Sequence, residues 1–297
     1  MEWLIKVFKG MLIGLANIIP GVSGGTMMVS MRIYDTIIYS VNHLFKEFKK
    51  CIMLLLPFAV GMVAAILLGA FGLEAAFENF PLPTNALFIG LILGSVPLIF
   101  NQVKSDGLGK NKTAVSAVIF FIFFAIVVLL KVFEAENSVD ISISFGNILL
   151  FFVLGVIASA TMVIPGVSGS MILKTLGYYE PIVTKGITGL TSALVSGDWA
   201  NVLHNGAILL PFGIGIIVGI FAIAKLIEVL IRKWKGYTYS AILGMVLASP
   251  IVILMSDPNN TLYADLSFLN ILISFVLLAL GCFIALKLGG EEQPAKK

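Results

Sequence analysis

The sequence predicts an all-α polytopic membrane protein. It would comprise two inverted-topology repeats, with six transmembrane helices plus two re-entrant helical hairpins. Three observations predict it. Of the 297 residues, 59% are hydrophobic and only 12% charged, with a mean hydropathy of +1.06; a soluble domain carries about twice that share of charge. The six residues Ile19-Pro20-Gly21-Val22-Ser23-Gly24 return unchanged as Ile164-Pro165-Gly166-Val167-Ser168-Gly169. The flanks of the two copies carry opposite charge, which in a membrane protein points to opposite orientation.

The repeat extends beyond the hexapeptide. Leu56-Pro57-Phe58 followed by Gly61 matches Leu210-Pro211-Phe212 followed by Gly215, and the stretch Ala86–Gly90 matches Ser240–Gly244 at the same offset. The apolar run 113–133 matches 267–287. The domain reading is therefore a first repeat over 1–140, a second over 141–290, and a tail over 291–297.

Crossing helices need about 20 apolar residues each. The runs 51–73, 84–100, 113–133, 205–227, 237–255 and 267–287 meet that need. The motif segments, about 10–42 and about 146–196, are too long for one helix, and Pro and Gly interrupt each in the middle. Broken helices are tolerated at membrane depth only where protein or a cavity satisfies the freed backbone groups. Each segment reads as two half-helices meeting at the Pro-Gly loop; two tilted crossings are the alternative.

Charge favours the hairpins. Lys6 and Lys9 precede the first motif, and Lys46, Lys49 and Lys50 follow it. Lys and Arg collect in cytoplasmic loops, so the segment returns to the side it entered from. Lys104, Lys110 and Lys112, then Arg232, Lys233 and Lys235, then Lys296 and Lys297 mark further inside stretches. The second motif lies between Asp140 and Asp198 and enters from outside. Both termini are then cytoplasmic, with Trp3 and Trp234 near the inner interface and Trp199 near the outer. The N-terminus does not read as a cleavable signal peptide, because its apolar stretch carries the first motif. Gly90/Gly94 and Gly215/Gly219 are spaced for close helix packing.

The motif offers anion chemistry. Gly21, Gly24 and Gly25 let backbone N–H groups converge, and Ser23 and Thr26 add hydroxyls. Gly166, Ser168, Gly169 and Ser170 repeat the pattern. The half-helices, read as starting near Thr26 and Met171, present unpaired N–H groups. Arg32 and Lys174 follow the loops as cations, and intramembrane charges default to function. Arg32 and Asp35 are spaced to pair on one helix face. Asp35 and Glu180 hold equivalent repeat positions, each after a tyrosine, and are candidates for coupling to protons or sodium. Nothing calls for a cofactor or a metal. His43 and His204 stand singly, and Cys51 and Cys282 lie in apolar runs without ligand spacing. No Walker loop, zinc signature or Ser-His-Asp spacing is present.

Ile-Pro-Gly-Val-Ser-Gly-Gly-Thr over 19–26, followed by Ile33-Tyr34-Asp35, resembles the bacterial and archaeal membrane family of PopT-type undecaprenyl-phosphate (polyprenyl-phosphate) translocases. The resemblance covers nearly the whole chain. It implies a flippase, not an enzyme. The protein would return the lipid carrier undecaprenyl phosphate from the outer to the cytoplasmic leaflet of a prokaryotic cytoplasmic membrane, for reuse in peptidoglycan and other envelope polymers. Its partners would be the polyprenyl-phosphate lipid and surrounding membrane lipids, with no nucleic acid; homo-oligomerisation is open. The second copy departs from the first at Ser170 and Met171, so the two loops need not hold phosphate alike. Competing readings are a secondary transporter of a small soluble anion and a membrane-embedded lipid headgroup enzyme. The latter lacks an evident base beside Ser23 or Ser168.

Overall fold

A computed structural model describes residues 2–18, 23–104, 110–134, 143–166, 169–256 and 266–288. Among them all regular structure is helical. The chain enters through α1 (Glu2–Ile18), then α2 (Gly24–Ser30) and α3 (Tyr34–Asn42). Three long helices follow: α4 (Phe48–Asn79), α5 (Pro81–Lys104) and α6 (Lys110–Val132). The second half repeats that order with α7 (Phe145–Val163), α8 (Gly169–Thr175), a π-helical stretch (Tyr179–Gly186), α9 (Ile187–Ser196), α10 (Trp199–Lys233), α11 (Lys235–Met255) and α12 (Phe268–Leu288). Six helices are long and apolar enough to cross a membrane: α4, α5, α6, α10, α11 and α12. These are the six apolar runs read from the sequence.

The motif segments differ from the expected pair of half-helices. Their first limbs are full helices, 17 residues in α1 and 19 in α7. The return limbs are broken instead, α2 and α8 ending after 7 residues each. The half-helices begin at Gly24 and Gly169, two residues before the expected starts. In the first copy Ser23 sets that point: it is the N-cap, and its Oγ accepts from the Gly25 N–H at 3.2 Å, the usual N-cap role of serine.

The chain forms two compact units. The first is Met1–Val128, Ile164–Val167 and Ala224–Lys297; the second is Leu129–Val163 and Ser168–Ile223. The units do not follow the repeat boundary, because α5 of the first half packs on α11 and α12 of the second within the first unit. In that unit α1 lies on α4, with Gly10 against the Phe58 carbonyl and Gly61 against the Val7 carbonyl. In the second unit Gly155 lies against the Phe212 carbonyl and Gly215 against the Phe152 carbonyl. A Cβ at any of these four glycines would collide with backbone. Gly10 and Gly155 occupy the same repeat position, as do Phe58 and Phe212, so one crossing is built twice from equivalent residues.

Burial separates central from peripheral helices. In α11 67% of the apolar window is buried, against 11% in α6. An apolar helix with so much exposed surface is suited to lipid. The second unit has its own core of Phe151, Leu154, Ala158, Leu173, Ile182, Ile208 and Phe212. Asp198 precedes α10 and accepts from the Asn201 N–H at 3.2 Å and the Asn201 side-chain amide at 2.7 Å. Those bonds hold its carboxyl below the usual range.

Candidate functional site

The two motifs meet in the first unit. The Gly166 N–H donates to Thr26 Oγ1 at 2.7 Å, across 140 residues of sequence. Thr26 is fully buried on α2. Gly166 has φ +84° and lies against the Met245 carbonyl of α11. A side chain there would be both strained and blocked, so only glycine lets the second Pro-Gly turn reach α2.

The donors of the first loop are turned inward. Gly24 N–H donates to Asn17 Oδ1 at 3.2 Å, and Gly25 N–H to Ser23 Oγ. The expected anion-binding amides therefore face the protein's own oxygens. Ser23 acts as an acceptor here, not as the expected donor. Gly21 and Ser168 lie outside the described residues, as does the side chain of Ser170. Gly169 opens α8 in the second unit.

α2 ends in a corner of unusual chemistry. Arg32 has φ +55°, the only non-glycine with positive φ among the described residues. The left-handed region costs an ordinary residue about 1–2 kcal/mol. The second repeat makes the same turn without that cost. Arg32 N–H donates to the Val29 carbonyl and Ile33 N–H to the Met28 carbonyl, just as Gly177 N–H donates to Lys174 and Tyr178 N–H to Leu173. Gly177 has φ +77°, and the register that places Ile19 on Ile164 places Arg32 on Gly177. An arginine stands where its sister position is glycine.

The corner's polar groups are only partly engaged. Arg32 Nε and Tyr34 Oη are buried without a hydrogen-bond partner among the described residues. Leaving such a group dry costs about 1–3 kcal/mol. The Tyr239 hydroxyl of α11 bonds Asp35, 2.8 Å from each carboxylate oxygen. The expected Arg32–Asp35 pair does not form among the described residues. Its i, i+3 spacing assumed one continuous helix, and Arg32 instead sits in the turn before α3 begins. Lys9 also comes to this corner. Read from the sequence as a flanking charge, it is 1% exposed, and its Nζ donates to the Met31 carbonyl at 3.3 Å. A cation at the last carbonyls of a helix is favourably placed.

Lys174 belongs to the second unit and has company there. Its Nζ lies 3.7 Å from Glu134 Oε1 and 5.5 Å from the Tyr179 ring centroid. Glu134 also pairs with Lys131. Glu180 pairs with Lys185 at 3.2 Å and its side chain is 52% exposed. The two carboxylates expected to be equivalent thus have different surroundings: Asp35 meets a tyrosine hydroxyl, Glu180 an exposed lysine.

Sequence reasoning did not single out Asn17, Tyr34, Lys131, Glu134 or Tyr239 as site residues, and used Lys9 only as a loop charge. Asn17 had one available signal, an amide in an apolar run where the second repeat has Met162. Tyr239 had none, since its role depends on α11 lying beside α3.

A family model described as undecaprenyl phosphate translocase-like matches residues 13–267 and 184–289. The chain belongs to this family. The first match includes both motif copies, Thr26, Arg32, Gly166 and Tyr239. Among its relatives, a Staphylococcus aureus protein named polyprenyl-phosphate transporter is 27% identical over 283 residues, covering 93% of this chain and 94% of the relative. A Vibrio cholerae protein of the same name is 26% identical over 263 residues, covering 84% and 77%. No solved structure matches the chain.

Proposed function

We propose that this protein transports a polyprenyl phosphate, returning undecaprenyl phosphate from the outer to the cytoplasmic leaflet of a prokaryotic membrane. Family membership supports the substrate class. The observation that carries the mechanism is the Thr26–Gly166 bond, because it joins the two motif copies at one place, as a single site opened in turn from each side requires. A phosphate monoester carries about −1.5 to −2 charge and needs polar groups to replace its water. Arg32 and the motif backbone of the first unit are the groups we assign to it. The amides now held by Asn17 and Ser23 become available if those side chains swing away.

The inverted repeats and re-entrant segments are part of this reading. The doubled Gly10–Phe58 and Gly155–Phe212 crossings support a common origin of the halves, and the charge pattern supports their opposite orientation. With the cytoplasm negative, inward transfer of one negative charge costs roughly 2.3 kcal/mol per 100 mV. Consumption of the carrier inside, or cotransport of cations, offsets that cost. We assign cation coupling to Asp35, beside Tyr239, with Glu180 as the second carboxylate.

The test is binding of farnesyl phosphate to the purified protein. Saturable binding is expected, weakened in Arg32→Ala and resistant to inorganic phosphate. Displacement by inorganic phosphate or another small soluble anion would instead favour a soluble-anion transporter. A flipping rate indifferent to both membrane potential and pH gradient would remove the coupling role.

A further inference from the structure

The α2–α3 corner holds two buried polar groups that the described residues leave unsatisfied. Arg32 Nε has no partner, and neither does the hydroxyl of Tyr34, a residue only 2% exposed. Buried polar atoms are nearly always hydrogen-bonded, so a native exception needs a reason. The two groups lie two residues apart on one turn. That turn also keeps a non-glycine in the left-handed region, at the position where Gly177 makes the same bend in the second repeat. Strain of this kind persists mainly where the side chain has a use.

The chemistry of the missing partner is constrained. A guanidinium N–H only donates, and a phenol hydroxyl donates to any strong acceptor. The neighbouring carboxylate, Asp35, is engaged through both oxygens by Tyr239. Lys9 adds a buried ammonium one peptide away, at the Met31 carbonyl. The missing partner is therefore an acceptor, and the positive charges of Arg32 and Lys9 favour one that bears negative charge. An oxygen-rich anion suits an arginine fork, which matches phosphate geometry.

We propose that Tyr34 is a headgroup-binding residue, its hydroxyl and Arg32 Nε together donating to the phosphate-monoester oxygens, with Lys9 as the adjacent buried charge. This rests on the polyprenyl-phosphate reading and extends its Arg32 contact to the rest of the corner that ends α2. The arrangement predicts an inverse relation between stability and binding. Removing the Tyr34 hydroxyl deletes an unsatisfied group without changing shape. Replacing Arg32 by glycine relaxes the turn.

The experiment uses the full-length protein in nanodiscs, with farnesyl phosphate as the probe and inorganic phosphate as competitor. Thermal midpoints are recorded beside affinities. Tyr34→Phe should keep or raise the midpoint while weakening farnesyl phosphate by about 10- to 100-fold, the equivalent of one charge-assisted hydrogen bond. Arg32→Gly should also hold its midpoint and lose saturable binding. If wild type binds and Tyr34→Phe binds equally well, the corner assignment is overturned and the transport reading stands. If wild type does not bind farnesyl phosphate, both fall. Displacement by inorganic phosphate at comparable concentration would assign the corner to a free anion and overturn the lipid headgroup. Should Tyr34→Phe not fold, the role of its hydroxyl as an unsatisfied group is itself refuted, and Arg32→Gly still tests the site.

Discussion

At the scale of single residues, this protein keeps costs that a purely structural design would remove. Arg32 occupies a left-handed turn that Gly177 makes freely in the second repeat. Tyr34 buries a hydroxyl that nothing among the described residues satisfies. Thr26 is the opposite case, a buried hydroxyl with a definite structural task. It accepts from the Gly166 N–H at 2.7 Å, so Thr26→Val should strand a buried amide and cost about 1–3 kcal/mol. Thr26→Ser, which keeps the oxygen, should recover most of that loss. Thermal unfolding in detergent would decide it, and a valine variant as stable as wild type would mean the contact is incidental. The corner chemistry was only half legible in advance. Arg32 and Asp35 stood out as charges in an apolar run. Their separation by a turn did not, because nothing local in Met31-Arg32-Ile33 signals a left-handed residue when no glycine marks it.

At the scale of elements, the crossings are set by glycines that admit a neighbouring backbone, while the motif helices are set by where their caps and turns fall. α10 allows a clean contrast. Gly215 lies against the Phe152 carbonyl, whereas a Cβ at Gly213 would meet nothing within 4 Å. Gly213→Ala should be neutral or stabilise by about 0.5–1 kcal/mol, through helix propensity. Gly215→Ala should push α10 away from α7 and destabilise. Equal responses at these positions, measured by denaturant titration, would contradict the crossing. The spacing of Gly215 and Gly219 was readable as a packing motif. That Gly155 would be its partner was not, since sequence spacing carries no information about which helix lies opposite. Likewise the two motif copies mark where the helices are interrupted, while Pro57, Pro97, Pro211 and Pro250 lie inside continuous helices, and the return limbs are shorter and more fragmented than the apolar runs implied.

For the whole molecule, charge at the loops is the guide to orientation. Lys46, Lys49 and Lys50 follow the first motif, and the proposed topology puts them in the cytoplasm. Phe48 is exposed at the start of α4, which makes it a good reporter. In a chain with Cys51 and Cys282 replaced by alanine, Phe48→Cys should react with an impermeant maleimide only from the cytoplasmic side, and Asp198→Cys only from outside. Labelling of position 48 from outside would replace the first hairpin with two full crossings. The compact units also show why repeats and units need not coincide. α5 buries its surface on α11 and α12 from the other half, so the halves are interleaved within the first unit.

The sequence by itself determined the membrane class, the six helices long and apolar enough to cross, and the place where the motif segments break. These follow from hydropathy, periodicity and the backbone limits of Pro and Gly, which act over a few residues. Only the tertiary structure decided that Thr26 meets Gly166, that Asp35 meets Tyr239 rather than Arg32, and that Lys9 is interior rather than a loop charge. Those outcomes depend on which helices pack together. Packing is settled by close-approach surfaces and by the burial of polar groups far apart in the chain, and no local pattern encodes either.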